Sequence, residues 1–133
     1  MAEPSRGLLD TSVLIDLDRI DPDRLPEESA VAAVTLAELA AGPHATRDED
    51  ERARRQDRLQ WAATTWDPLP FDTDAARVYG RIFAAVHTTG RSARSRLADL
   101  LIASTAASKG LPLYTRNPNN FIGLERLVVV EEV

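Results

Sequence analysis

Short apolar runs alternate with longer segments of helical periodicity along this chain, and a few acidic side chains interrupt both. Gly7-Leu8-Leu9 is apolar and bounded closely, which predicts a buried strand. Asp10-Thr11-Ser12 then offers cap chemistry, so the strand passes straight into a helix through Val13-Leu14-Ile15. Asp21 to Glu28 contains two prolines and reads as a connection. Ala30 to Val34 predicts a second strand, after which Thr35 opens a helix that stops near Gly42-Pro43.

Arg47 to Trp66 is helical by periodicity, charged in its first half, with Leu59, Trp61, Ala62 and Ala63 on its packing side. Asp67 to Pro70 predicts a short strand around Leu69. The spacing of Ala75, Val78, Ile82 and Val86 predicts an amphipathic helix over Asp72 to Thr88, ended by Gly90. A loop from Arg91 to Arg96 precedes a helix from Leu97 to Lys109, closed by Gly110 as a left-handed cap. Strands at Leu113 to Thr115 and Leu127 to Val130 complete the set. Strands alternating with helices imply parallel crossovers, hence an α/β sandwich whose small, mainly parallel sheet carries helices on both faces. At 133 residues the chain is expected to form one domain, 1–133.

Composition narrows the chemistry. The chain is 44% hydrophobic and 28% charged, which fits a folded domain and argues against disorder. Cysteine is absent, which removes disulfides, thiolate metal sites and thiol nucleophiles together. Only His44 and His87 are present, so a histidine-rich metal site is not expected. The start has no basic flank leading into an apolar stretch, and no segment has the length to cross a bilayer, so a cytoplasmic location with no membrane partner is expected. A net charge of -5 argues against binding nucleic acid through a broad cationic face. It leaves room for a metal-dependent nuclease, because there the ion carries much of the local positive charge.

Asp10, Glu38 and Asp99 each sit where the surrounding sequence buries hydrocarbon, and a carboxylate there needs a cation or donors to offset its desolvation. Taken singly, Asp10 reads as an N-cap, and Glu38 as the closing member of a capping box, Thr35-Leu36-Ala37-Glu38. Asp99 reads as a site residue, since its helix is apolar nearly all round. All three fall at the carboxyl edge of the inferred sheet, where α/β folds collect their ligands. Such a trio suits Mg²⁺ or Mn²⁺, whose binding is expected to release protons and stabilise the fold.

Four segments carry a resemblance: Leu8-Leu9-Asp10-Thr11-Ser12-Val13-Leu14-Ile15, Thr35-Leu36-Ala37-Glu38-Leu39, Ala98-Asp99-Leu100-Leu101-Ile102-Ala103 and Leu113-Tyr114-Thr115-Arg116-Asn117. In this order and spacing they resemble the motifs of PIN-domain ribonucleases, and the small single-domain form is similar to the VapC toxins of type II toxin-antitoxin (VapBC) systems. The resemblance implies a Mg²⁺- or Mn²⁺-dependent endoribonuclease, with Asp10 and Asp99 as metal ligands and Glu38 as the third acid. It also implies a homodimer, a cognate VapB-type antitoxin with which it builds a higher-order toxin-antitoxin complex, and an RNA substrate. Many relatives carry a fourth acid after the last Thr, where this chain has Asn117-Pro118-Asn119-Asn120. Asn117 or Asn119 is then left to orient a water or ligand, with Thr115 either bonding one of the acids or simply ending a strand. Arg96 and Arg116 are candidate RNA-phosphate contacts, while Arg91 and Arg94 read as a solvated loop.

Two alternatives compete. A haloacid-dehalogenase-type phosphohydrolase also begins with an Asp after an apolar strand, but needs a second Asp where this chain has Ser12. A catalytically weakened PIN-like module that binds RNA or a partner is the other, supported by the missing fourth acid.

Overall fold

Leu8 and Leu9 point to opposite faces of the first strand, and this period-two alternation sets the architecture. The computed structural model describes residues 3–133. Its chain order is β1 (Arg6–Leu9), α1 (Thr11–Ile15), β2 (Glu28–Val31), α2 (Ala33–Ala41), α3 (Glu49–Thr65), α4 (Thr73–Thr88), α5 (Leu97–Ser108), β3 (Leu113–Thr115) and β4 (Val130–Glu132). The four strands lie in the order β2-β1-β3-β4, and every pair is parallel. Leu8 sits opposite both Ala30 and Leu113, so the central strand is flanked at the same level on its two sides.

On one face, Leu8 and Leu113 pack with Ile82 and Val86 of α4 and with Leu100, Ile102, Ala103 and Ala106 of α5. On the other, Leu9 and Val31 pack with Val13 and Leu14 of α1, Leu39 of α2 and Ala62 of α3. Both layers therefore close over a sheet that is apolar on both sides, as parallel sheets must be. Fully buried Leu100 and Ile102 lie in the first layer, where truncation to Ala costs about 2–5 kcal/mol. Gly110 follows α5 at φ 66°, the left-handed conformation expected of its cap.

The expected α/β sandwich is the observed one, but three boundaries moved. The second strand ends at Val31, and the next helix starts at Ala33 with Ala32 as its cap, so Thr35 lies inside the first turn. The reason is tertiary: the Ala33 N–H donates to the Leu69 carbonyl at 2.8 Å, supplying the partner that a side-chain cap would otherwise provide. Leu69 itself forms one isolated parallel bridge with Ala32 instead of a strand. The last strand begins at Val130, since Leu124 and Val128 are drawn into the core by a turn closed through Val128 N–H to Leu124 O at 3.0 Å. Trp61, expected to pack inward, is 38% exposed and meets Trp66 edge to face at 5.0 Å. Among the described residues, no helix is long and apolar enough to cross a membrane.

Candidate active site

Parallel strands bring their carboxyl ends to one edge, and the residues that follow them build the site. Asp10 leaves β1 and caps α1, accepting the Val13 N–H at 3.2 Å. The Ser12 hydroxyl donates to the same oxygen, and the Thr115 hydroxyl at the end of β3 lies near enough to favour the charged form of this carboxylate. Both hydroxyls are themselves fixed: Ser12 Oγ accepts the Arg116 N–H at 3.1 Å, and Thr115 Oγ1 accepts the Asn117 N–H at 3.0 Å. Asp10 is only 3% exposed. Burial raises its pKa above the ordinary carboxylate value, while Ser12, Thr115 and the Val13 N–H pull the other way.

Asp99 lies in the first turn of α5 and is half-buried. Its Oδ2 accepts from the Asn120 side-chain amide at 3.2 Å. Burial, then the negative charges of Asp10 and Glu38, push its pKa up to about 6, against the opposing pull of Arg96 and Asn120. Charge repulsion of this kind requires proximity, so Asp10, Glu38 and Asp99 occupy one electrostatic field. Glu38 is exposed on α2 and accepts from Thr11 Oγ1 at 2.6 Å, with that same oxygen 3.1 Å from the hydroxyl of buried Thr35. Thr35 and Glu38 are thus joined through Thr11, and no capping box forms.

Among the described residues, no three Asp, Glu, His or Cys side chains stand close enough to hold one ion together. The trio is a shared field with two inner carboxylates, Asp10 and Asp99, and Glu38 on its rim. A groove of about 310 Å³ reaches Glu38 between Thr11, Ile15, Leu39, Gly42 and Arg55.

The other anticipated residues divide. Thr115 is buried and favours the charged form of Asp10. Asn117 contributes its backbone N–H to Thr115, and it is Asn120, rather than Asn117 or Asn119, whose amide meets an acid. Arg96 acts on Asp99 through charge and donates to the Asn119 carbonyl at 3.3 Å. Arg116 turns its guanidinium elsewhere, 3.4 Å from the Asp16 carboxylate and 3.2 Å from the Val133 carbonyl. Sequence reasoning missed Thr11, Ser12 and Asn120 as holders of the acids. Ser12 is detectable as a cap-adjacent hydroxyl; nothing local pairs Thr11 with Glu38, 27 residues away.

Comparison with known proteins places this geometry. The PIN domain matches residues 7–126, nearly the whole chain. The chain belongs to the PIN domain family. Within it, the chain is 39% identical over 131 residues to Ribonuclease VapC5 of Mycobacterium tuberculosis, covering 96% of this chain and 94% of that one. It is 33% identical over 126 residues to VapC ribonuclease Y4jK of Sinorhizobium fredii, covering 86% and 89%. Among solved structures, a member of the VapBC family of toxin-antitoxin systems, VapBC-5 from Mycobacterium tuberculosis, superposes with a TM-score of 0.83 at 38% identity, covering 98% of each chain. FitAcB from Neisseria gonorrhoeae superposes at 0.72 with 29% identity, covering 92% and 94%. In this PIN domain, the acids of three separate chain segments gather at the carboxyl edge of the four-stranded parallel sheet.

Proposed function

We propose that this PIN domain is a divalent-metal-dependent endoribonuclease, the VapC-type toxin of a toxin-antitoxin pair, working in the cytoplasm. The observation that carries the proposal is the gathering of Asp10, Glu38 and Asp99 at the carboxyl edge of the sheet, near enough for the charges of the first two to raise the pKa of the third. Acids held against their own repulsion fit a cation. Oxygen donors on two carboxylates match the preference of Mg²⁺ or Mn²⁺, which bind through one or two carboxylates and keep several waters. Asp10 and Asp99 would hold such an ion. When bound, it supplies charge to the scissile phosphate and acidifies a water for in-line attack.

The chain's own residues do the rest. Ser12 and the Val13 N–H both bond Oδ1 of Asp10 and lock the carboxylate into one orientation, which leaves acceptor capacity on its second oxygen. Thr11 holds Glu38 at 2.6 Å, so that its other oxygen is available to orient or deprotonate the attacking water. Asn120 holds one Asp99 oxygen and leaves the second free. Being neutral, Asn120 leaves the inner site with two carboxylates and favours a single resident ion.

A VapB-type antitoxin and a second copy of the chain are the proposed partners. Support comes from the relatives' VapC names, from VapBC-5, and from Ile15 and Trp61, 49% and 38% exposed along a groove they line with Leu14, Leu17, Arg54 and Arg58. The deciding experiment incubates purified protein with structured RNAs and Mg²⁺ or Mn²⁺, beside Asp99→Asn. Cutting by the parent and none by the variant is the expected result; equal cutting by both sinks the assignment.

A further inference from the structure

We propose that Arg91 and Arg96 form a phosphate clamp that grips the RNA backbone beside the acids. The proposal rests on the nuclease assignment above, and deepens it by naming the substrate contact. Both guanidiniums converge on one neutral acceptor: Arg91 Nη1 donates to the Asn119 carbonyl at 2.7 Å, and Arg96 Nη1 to the same oxygen at 3.3 Å. Two like charges brought to a single carbonyl repel each other, and an anion bridging their free N–H groups relieves that repulsion.

Neither is neutralised by the chain. Among the described residues, no carboxylate oxygen lies within 4.0 Å of either guanidinium, whereas Arg6, Arg54, Arg55, Arg77 and Arg116 all have such a partner. Both side chains are half-buried, which fixes them instead of leaving them to sweep through solvent. Position decides what anion is meant. Asn119 holds the arginines, and the next residue, Asn120, holds Asp99, so clamp and acid are anchored to adjacent residues about 3.8 Å apart at Cα. Arg96 is close enough to Asp99 to lower its pKa through charge.

A site of three acids on a chain of net charge -5 repels a polyanion except where a cation intervenes. An ion between Asp10 and Asp99 answers for one phosphate only. The clamp answers for a neighbouring phosphate, and it orients the strand, because it lies on the α5 side of the acids and Glu38 on the α2 side. Arg116, in contrast, is occupied by Asp16 and the Val133 carbonyl and takes no part.

The test measures binding of a fluorescent single-stranded RNA to Asp99→Asn protein in Mg²⁺, over a series of salt concentrations. Adding Arg91→Gln or Arg96→Gln is expected to weaken binding and to flatten the slope of log affinity against log salt by about 0.7 each, the share of one phosphate contact on a single strand. Arg91→Lys keeps the slope, since the charge survives. Arg6→Gln, at the opposite edge of the sheet, leaves slope and affinity unchanged. In the otherwise wild-type chain, Arg91→Gln raises KM for RNA cleavage with little change in kcat. A slope unmoved by both glutamine variants, in protein whose melting temperature matches the parent, overturns the clamp; so does an equal change in Arg6→Gln. Absence of RNA cleavage by the unaltered chain is a separate result that overturns the nuclease assignment.

Discussion

Asp10 and Asp99 are both aspartates in apolar surroundings at the same edge of the sheet, yet the protein holds them differently. Asp10 is buried under two donors, the Ser12 hydroxyl, itself anchored by the Arg116 N–H, and the Val13 N–H of the helix, with Thr115 favouring its charged form beside them. Asp99 has one amide donor and faces the charges of the other two acids. Burial raises the pKa of both, but the first carboxylate is also pre-organised by the fold, while the second carries the added repulsion of two neighbouring acids, which a bound cation would relieve. The proposed metal-binding pair thus divides its labour, with one member setting geometry and the other supplying the drive to bind.

The largest expected effect separates those roles. Asp99→Asn is expected to lower the RNA cleavage rate by about 10²–10³-fold, on the scale of losing a preorganised electrostatic contact, while raising the melting temperature of the metal-free protein. Asp10→Ala should also abolish cleavage, but in the reverse thermal direction, losing about 0.5–2 kcal/mol in a denaturant melt through the lost cap alone. If both variants shift stability the same way, the division between them is broken.

A smaller effect comes from pH. The Asp99 pKa is about 6 in the fold and 3.8 in its ordinary state, so the folded chain holds this proton more tightly than the unfolded chain. Its contribution to stability is therefore present in full below 3.8 and is lost as pH rises through 6. Asp10, also raised, acts with the same sign. The difference in melting temperature between parent and Asp99→Asn should widen over that range in chelator, and saturating Mg²⁺ should shrink it. The smallest shift is expected from Asn120→Ala, which removes a bond that favours the charged form of Asp99. NMR titration of the Asp99 carboxyl should then read a pKa above that of the parent.

Much of the fold was legible before any coordinates. Gly7-Leu8-Leu9 running into Asp10-Thr11-Ser12 announces a strand turning into a helix, and the spacing of Ala75, Ile82 and Val86 announces the buried face of α4. The errors share one cause. Ala33 begins its helix on a bond from Leu69, and Leu124 with Val128 postpones the last strand by filling the core. Each boundary was moved by a partner distant in sequence, which local propensity does not register.

The candidate site divides along the same line. That Asp10, Glu38 and Asp99 are anomalous follows from the residues beside them, because the cost of a carboxylate among apolar neighbours is a local property. The resemblance of four ordered motifs added the family. Which hydroxyl holds which acid, which of three nearby asparagines meets Asp99, and which arginines are left without a carboxylate were decided only when the parallel strands brought separate segments to one edge. Hydrogen bonds and ion pairs act within a few ångströms in space, and sequence separation carries no information about that distance until the chain has folded.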